Sequence, residues 1–264
     1  MDTNSEFSTT DARRTGSDSA RRIIELLFAF TEDHPRRTAR ELSEAAGIPM
    51  PSVHRYVALL RDLGLIVDVR RGLYQLTPLV FPLTRAAEAA NSILDVARPH
   101  LSSLSLELDE TVALVQQIGD NPVCVERYES ARTLRASFQP GQPMPALRGA
   151  SAKVLVSGMT PGEREAYLAR MSARSTSAPG AEWTEEELRQ TREQGWATSS
   201  QQLSEGIWAV AAAIDLGTRM VGAISVACPE FRMTEESRRT VIERACDTAA
   251  AISEDLARGA GREA

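Results

Sequence analysis

The sequence predicts an α+β chain in two parts, and three observations predict it. Helical periodicity followed by two short β runs fills residues 19–78. After Asp109-Glu110 the apolar period changes from that of a helix to that of a strand. The charge balance also changes sign. Residues 19–78 hold nine arginines and seven acids, whereas residues 79–264 hold 19 basic and 25 acidic residues.

Residues 1–18 are rich in Ser, Thr and Asp and offer little to bury, so a disordered arm is expected. It is either a solvated tail or an arm whose Arg13 and Arg14 touch DNA. From Ser19, a candidate N-cap, Ile23, Ile24, Leu27 and Phe30 recur at helical spacing until Asp33-His34-Pro35. Thr38-Ala39-Arg40-Glu41 has the form of a capping box. Leu42, Ala45 and Ala46 form the buried stripe of this second helix, and Gly47 is its left-handed stop. A third helix starts at Pro49-Met50-Pro51, where first-turn N–H groups have no partner to lose. Its inner face is Val53, Val57 and Leu60, flanked by Tyr56 and Leu63. The runs 65–69 and 73–76 enclose Arg70-Arg71-Gly72, which predicts a β-hairpin closed by Thr77-Pro78. Three helices with a tight turn between the second and third, then a hairpin, describe a winged helix-turn-helix at 19–78.

An alanine-rich linker helix is expected at 79–93, with the boundary near Asn91. A helix from Ile93 to Leu108 follows, its face made of Leu94, Ala97, Leu101 and Leu104, with a kink at Pro99. Strands are expected at 111–115, 123–125 and 132–138, and again at 206–216 and 220–228. Helices are expected at 151–157, 161–171, 184–194 and 234–257. A mainly antiparallel sheet flanked by helices is a sensor-type α+β arrangement. Residues 94–258 form this domain and 259–264 a tail.

Several function classes are excluded. No run of 18 uncharged apolar residues exists, which argues against a membrane helix. The N-terminus lacks an apolar h-region, so a cytoplasmic, nucleoid-associated protein is expected. Cys124, Cys228 and Cys246 give neither a disulfide framework nor zinc spacing. No metal or cofactor is expected. There is no G-x-S-x-G elbow, P-loop, dinucleotide fingerprint or H-E-x-x-H. A serine nucleophile in the second part would have only His100 as base, on a leucine-rich helix. The expectation is therefore no enzyme.

The third helix carries different chemistry. Ser52, His54 and Arg55 lie off its inward stripe. Short hydroxyls near a helix N-terminus suit phosphates, and an arginine can fork onto guanine N7 and O6. Arg70 and Arg71 at the hairpin tip suit phosphate or the minor groove. Arg21 and Thr38 complete the candidate DNA-contact set.

These residues carry a resemblance to the IclR-type transcriptional regulators. In the first part it lies in S-A-R-R-I-I-E-L-L, T-A-R-E-L-S-E-A-A-G-I-P, S-V-H-R-Y-V-A-L-L-R-D-L-G and Gly72 to Leu76. In the second it lies in D-E-T-V-A-L-V, V-C-V-E-R-Y-E-S, P-G-Q-P-M-P, G-A-S-A-K-V-L and A-I-S-V-A-C-P. The resemblance spans residues 19–258. It implies a homodimeric or homotetrameric regulator, repressor or activator, binding a double-stranded DNA operator. It also implies a GAF-like effector-binding domain for a small metabolite, often a carboxylate. Where the family has a hydroxyl or basic residue before the recognition helix, this chain has Met50-Pro51. The histidine before the pocket turn is Leu147, the acidic pair is Ser199-Ser200, and a frequent cysteine is Ala209.

The residues also suggest how a pocket could work. Gly149-Ala150-Ser151 opens a helix whose free N–H groups could hold a carboxylate, or simply caps it. Ser199, Ser200 and Ser225 would meet a hydroxyl or carbonyl. Met144, Trp196 and Trp208 would supply an apolar wall, though tryptophans are more often core. The expected ligand is a small organic anion with an apolar body. The competing expectation is a metabolite-binding or oligomerisation module whose winged helix mediates protein contacts.

Overall fold

A computed structural model describes residues 9–133, 135, 136, 139–174, 183–217 and 219–260. The chain divides between Ala90 and Asn91 into two compact units. The first contains α1 (Thr9–Phe28), β1 (Arg36–Thr38), α2 (Ala39–Ala46), α3 (Met50–Asp62), β2 (Ile66–Arg70), β3 (Leu73–Leu76) and α4 (Phe81–Ala89). Leu26 of α1, Phe30 two residues beyond it, Leu42, Val53, Val57, Leu60 and Ile66 contribute to its core.

Four expectations are corrected here. α1 reaches back to Thr9, through residues expected to be disordered, while residues 1–8 lie outside the described residues, and so do the side chains of Arg13 and Arg14. Extending an existing helix avoids a new nucleation cost, and Asp18 pairs with Arg22 at 3.1 Å one turn on. Ser19 is thus inside the helix and is not its N-cap. Ala45 is exposed, and Ala39 joins Leu42 as the buried face of α2. Tyr56 is buried with the α3 stripe instead of flanking it. Short β1 is an addition: it pairs with β3 and makes the wing a three-stranded sheet of order β1-β3-β2.

The second unit contains α5 (Ser92–Leu108), β4 (Thr111–Ile118), β5 (Asn121–Tyr128), α6 (Ala150–Ser157), α7 (Pro161–Arg174) and α8 (Glu185–Gln194). It continues with β6 (Trp196–Ser200), β7 (Ile207–Asp215), β8 (Met220–Pro229) and α9 (Glu235–Ala260). The sheet is antiparallel throughout, in the order β5-β4-β8-β7-β6. Strand side chains alternate between its faces. Val112, Leu114, Val210, Ile224 and Val226 pack against α5 and α9. Val115, Ala211 and Ala223 pack on the other face against Val154 and Leu155 of α6.

The strand expected at 132–138 does not form among its described residues; 134, 137 and 138 lie outside them. Side chains take its backbone groups instead. Thr111 Oγ1 donates to the Ala136 carbonyl at 2.8 Å, and the Arg132 N–H donates to Ser130 Oγ at 3.1 Å. β6 was not anticipated, because its five residues alternate too weakly to read as a strand.

Candidate functional site

With Val53, Tyr56, Val57 and Leu60 turned inward, α3 presents His54 and Arg55 to solvent, and Ser52 half-buried beside them. Arg55 is not extended. Its Nη2 donates to Tyr56 Oη at 3.3 Å, and its Cζ lies 5.1 Å from the Tyr56 ring centroid, within cation–π range. The Ser19 side chain, first, and Arg55, second, pull the Tyr56 phenol below its usual pKa by hydrogen bonding. To fork onto a base edge, Arg55 has to leave this ring.

Arg70 and Arg71 flank the wing turn, both exposed, with Gly72 at φ 77°. That left-handed geometry is cheap only for glycine. Arg61 of α3 pairs with Asp68 at 3.1 Å and ties the wing to the recognition helix. Arg21 is exposed on α1. Thr38 is committed to the α2 cap. Its hydroxyl donates to Glu41 Oε2 at 2.8 Å and accepts from the Glu41 N–H at 3.3 Å. The Thr38 N–H and hydroxyl hold the Glu41 carboxyl below the usual range. The register Thr38↔Leu73 and Leu73↔Arg70 brings the start of α2 beside the wing turn. The exposed arginines Arg36 and Arg40 therefore extend the basic face, although Arg36 bonds Gln75 at 3.2 Å and Arg40 pairs with Glu44 at 2.9 Å. The Arg-Arg-Thr-Ala-Arg run before the capping box was the available signal.

The second unit holds a cavity of about 320 Å³ over the sheet face that carries α6. Ser199, Ala209 and Ala227 make its floor. They form one cross-strand row, Ser199↔Ala209↔Ala227, continued by Thr111. Small side chains leave the space. Met144, Pro145, Leu203 and Ile207 supply apolar walls, and Gln139, Gln142 and Ser204 supply polar ones. Arg135 is the ionisable group among the described lining residues, and no carboxylate joins it there.

The predicted pocket residues do not stay together. Trp196, Ser200 and Trp208 belong to the opposite face. Trp208 is 3% exposed in the core with α5 and α9, and Trp196 packs against that core. Ser200 is register partner to Trp208 and donates to Glu230 at 2.6 Å. Neighbours on a strand point opposite ways, so Ser199 and Ser200 cannot serve one ligand. Ser225 shares the cavity's face but sits one row further on, buried between Ala113 and Ala211. Gly149, Ala150 and Ser151 are buried and do not line the cavity. The Gly149 N–H already donates to Gln202 Oε1 at 2.9 Å, and Leu203 covers it. A wider depression of about 630 Å³ lies at the other end of the strands. Its Arg170 is paired with Asp120 at 3.1 Å and its Glu163 is used in the α7 cap.

Among the described residues no three His, Cys, Asp or Glu side chains gather as metal ligands, and no helix is long and apolar enough to cross a membrane. Burial pushes the Cys124 thiol up to about 12 and raises Cys228 as well. At pH 8 both should stay protonated. Native protein should therefore leave them unmodified by iodoacetamide, while urea-unfolded protein should be labelled at both. Mass-spectrometric labelling of native Cys124 would contradict this.

Residues 19–70 match the family description "IclR helix-turn-helix domain", and residues 86–254 match "Bacterial transcriptional regulator IclR C-terminal". The chain is 31% identical over 230 residues to the HTH-type transcriptional regulator Rv1719 of Mycobacterium tuberculosis, covering 84% of this chain and 86% of that one. It is 29% identical over 226 residues to the HTH-type transcriptional regulator KipR of Bacillus subtilis, covering 84% and 90%. In fold it resembles the crystal structure of an IclR homolog complexed with 4-hydroxybenzoate from Microbacterium hydrocarbonoxydans. The TM-score is 0.70 at 20% identity, covering 90% of this chain and 98% of that one.

Proposed function

The chain belongs to the IclR family of bacterial transcriptional regulators, and we propose that it reads a duplex operator with α3 and the wing while a small organic acid occupies the 320 Å³ cavity. The observation that carries the ligand class is the lining: one guanidinium, no carboxylate among the described lining residues, and mostly apolar walls. Arg135 takes over the anion-binding role expected of the α6 N-terminus. The IclR homolog of similar fold holds 4-hydroxybenzoate, an aromatic carboxylate of the kind such a lining suits. The regulated genes would then serve metabolism of an organic acid, with the protein acting at the nucleoid in the cytoplasm.

Assembly follows from surface chemistry. Phe28 is 72% and Leu83 69% exposed, and α4 buries none of its side chains within its own unit. Apolar helix faces of this kind are covered when two chains meet. A homodimer, or a homotetramer built from it, supplies the second half-site that one winged helix lacks.

On an operator selected from genomic fragments, Arg55→Ala should weaken binding about 10- to 100-fold, or about 1–3 kcal/mol, and relax preference at one base per half-site. Arg70→Ala with Arg71→Ala should weaken binding to every sequence and lower the salt slope by about one to two ions. Gel-shift titrations over a salt series give both numbers. No salt-dependent DNA binding at all would return the winged helix to a protein-contact role.

A further inference from the structure

Arg135 is not waiting free at the cavity. Its Nε donates to Glu129 Oε2 at 2.9 Å, and its Nη1 reaches the Arg132 carbonyl at 3.4 Å. The other oxygen of Glu129 lies 3.3 Å from Arg127 Nη1. One carboxylate thus bridges two guanidinium groups, a sheltered one on β5 and a more open one on the cavity wall. We propose that Glu129 is a built-in competitor for the effector's carboxylate: the ligand displaces it from Arg135, and Glu129 falls back on Arg127. The inference rests on the organic-acid reading of the same cavity.

The exchange is chemically balanced. A carboxylate leaves Arg135 and a carboxylate arrives, so Coulomb attraction to the arginine changes little. Glu129 keeps a cationic partner in Arg127, so displacement strands no buried charge, the step that would make release costly. The Arg132 carbonyl holds the guanidinium at the wall while its partner changes.

This sets the selectivity. A tethered carboxylate competes at an effective concentration on the order of millimolar. Chloride or phosphate brings no apolar contacts and cannot overcome it. An organic acid can, because its body also covers Met144, Leu203 and Ile207. Arg135 therefore asks for an anionic head, and Glu129 makes that head insufficient without an apolar body.

The test is calorimetric titration of the full chain with 4-hydroxybenzoate and with its neutral analogue 4-hydroxybenzamide. The chains compared are wild type, Glu129→Gln, Arg135→Gln and the double variant. Removing the competitor should tighten carboxylate binding about two- to fivefold, the range of a partly exposed ion pair, and leave amide binding unchanged. Arg135→Gln should weaken the carboxylate about tenfold or more. In the double variant the gain from Glu129→Gln should vanish, because Glu129 acts through Arg135. Should Glu129→Gln fold poorly, Glu129→Asp keeps the charge but shortens the reach, and must shift affinity in the same direction. Equal carboxylate affinity in wild type and Glu129→Gln, with Arg135→Gln still weakened, overturns the competitor and leaves the organic-acid reading standing. Acid and amide binding alike, indifferent to Arg135→Gln, overturns both. So does a wild-type chain that binds neither 4-hydroxybenzoate nor a panel of benzoates and short 2-oxo acids.

Discussion

Glu110→Ala should lower the stability of the C-terminal unit by about 3–5 kcal/mol in urea titrations at pH 7. Glu110 is 3% exposed, one residue before β4. Its oxygens receive Nε and Nη2 of Arg232 at 3.0 and 2.7 Å, a two-pronged pair. The Arg232 side chain is only 16% exposed. Truncating the acid takes both of these charge-assisted bonds from a largely sheltered guanidinium. The pair also joins two distant stretches, the α5–β4 corner and the turn between β8 and α9. Its loss loosens the α9 connection as well. Replacing both residues by leucine should recover most of the loss, because an apolar pair incurs no ion desolvation. A single-variant loss below about 1 kcal/mol would mean that the charge re-solvates, and the pair would then be a surface contact in effect.

Ala227→Leu should reduce binding of the organic-acid effector about 100-fold or more, which is about 2.7 kcal/mol, while leaving operator affinity of the effector-free protein within about twofold. Ala227 is on the cavity floor between Thr111 and Ala209. A branched side chain there grows into empty space, so folding should tolerate it better than overpacking of a filled core. The ligand then loses the volume it needs. Calorimetry for the effector and gel shifts for the operator separate the two effects. Unchanged effector affinity would place the ligand elsewhere and favour the α6 N-terminus after all.

The same physics explains which readings of the sequence held. The α3 stripe was legible because a helix repeats every 3.6 residues, so Val53, Val57 and Leu60 identify the outward positions of His54 and Arg55 without further information. The capping box of α2 and the left-handed Gly47 are equally local, each closed within a few residues. Arg55 lying on Tyr56 was not legible, because it depends on where α1 sets Ser19 and how far Tyr56 is drawn inward.

In the second unit, alternation along 207–215 could have separated Ala209 from Trp208, whereas Trp-Ala-Thr-Ser-Ser at 196–200 has no alternation to separate Ser199 from Ser200. It could not say which face receives α6 and which receives α5 and α9. That choice is made by contacts between segments far apart in sequence, where Trp208 shares a core with Val241 and Ala245 while Ala211 shares another with Val154. Arg135 escaped notice for a related reason. It sits on an irregular stretch with no period to reveal its direction, anchored at Ala136 by Thr111 of β4 from elsewhere in the chain. Periodicity, caps and turns thus made legible the winged helix, the α+β character of the second domain and the outward position of the arginine candidates on α3 and the wing, since each is an effect of residues within one or two turns. The cavity, its floor of small side chains and the arginine at its wall came from strand order and sheet-face assignment, which only the packing of distant segments decides.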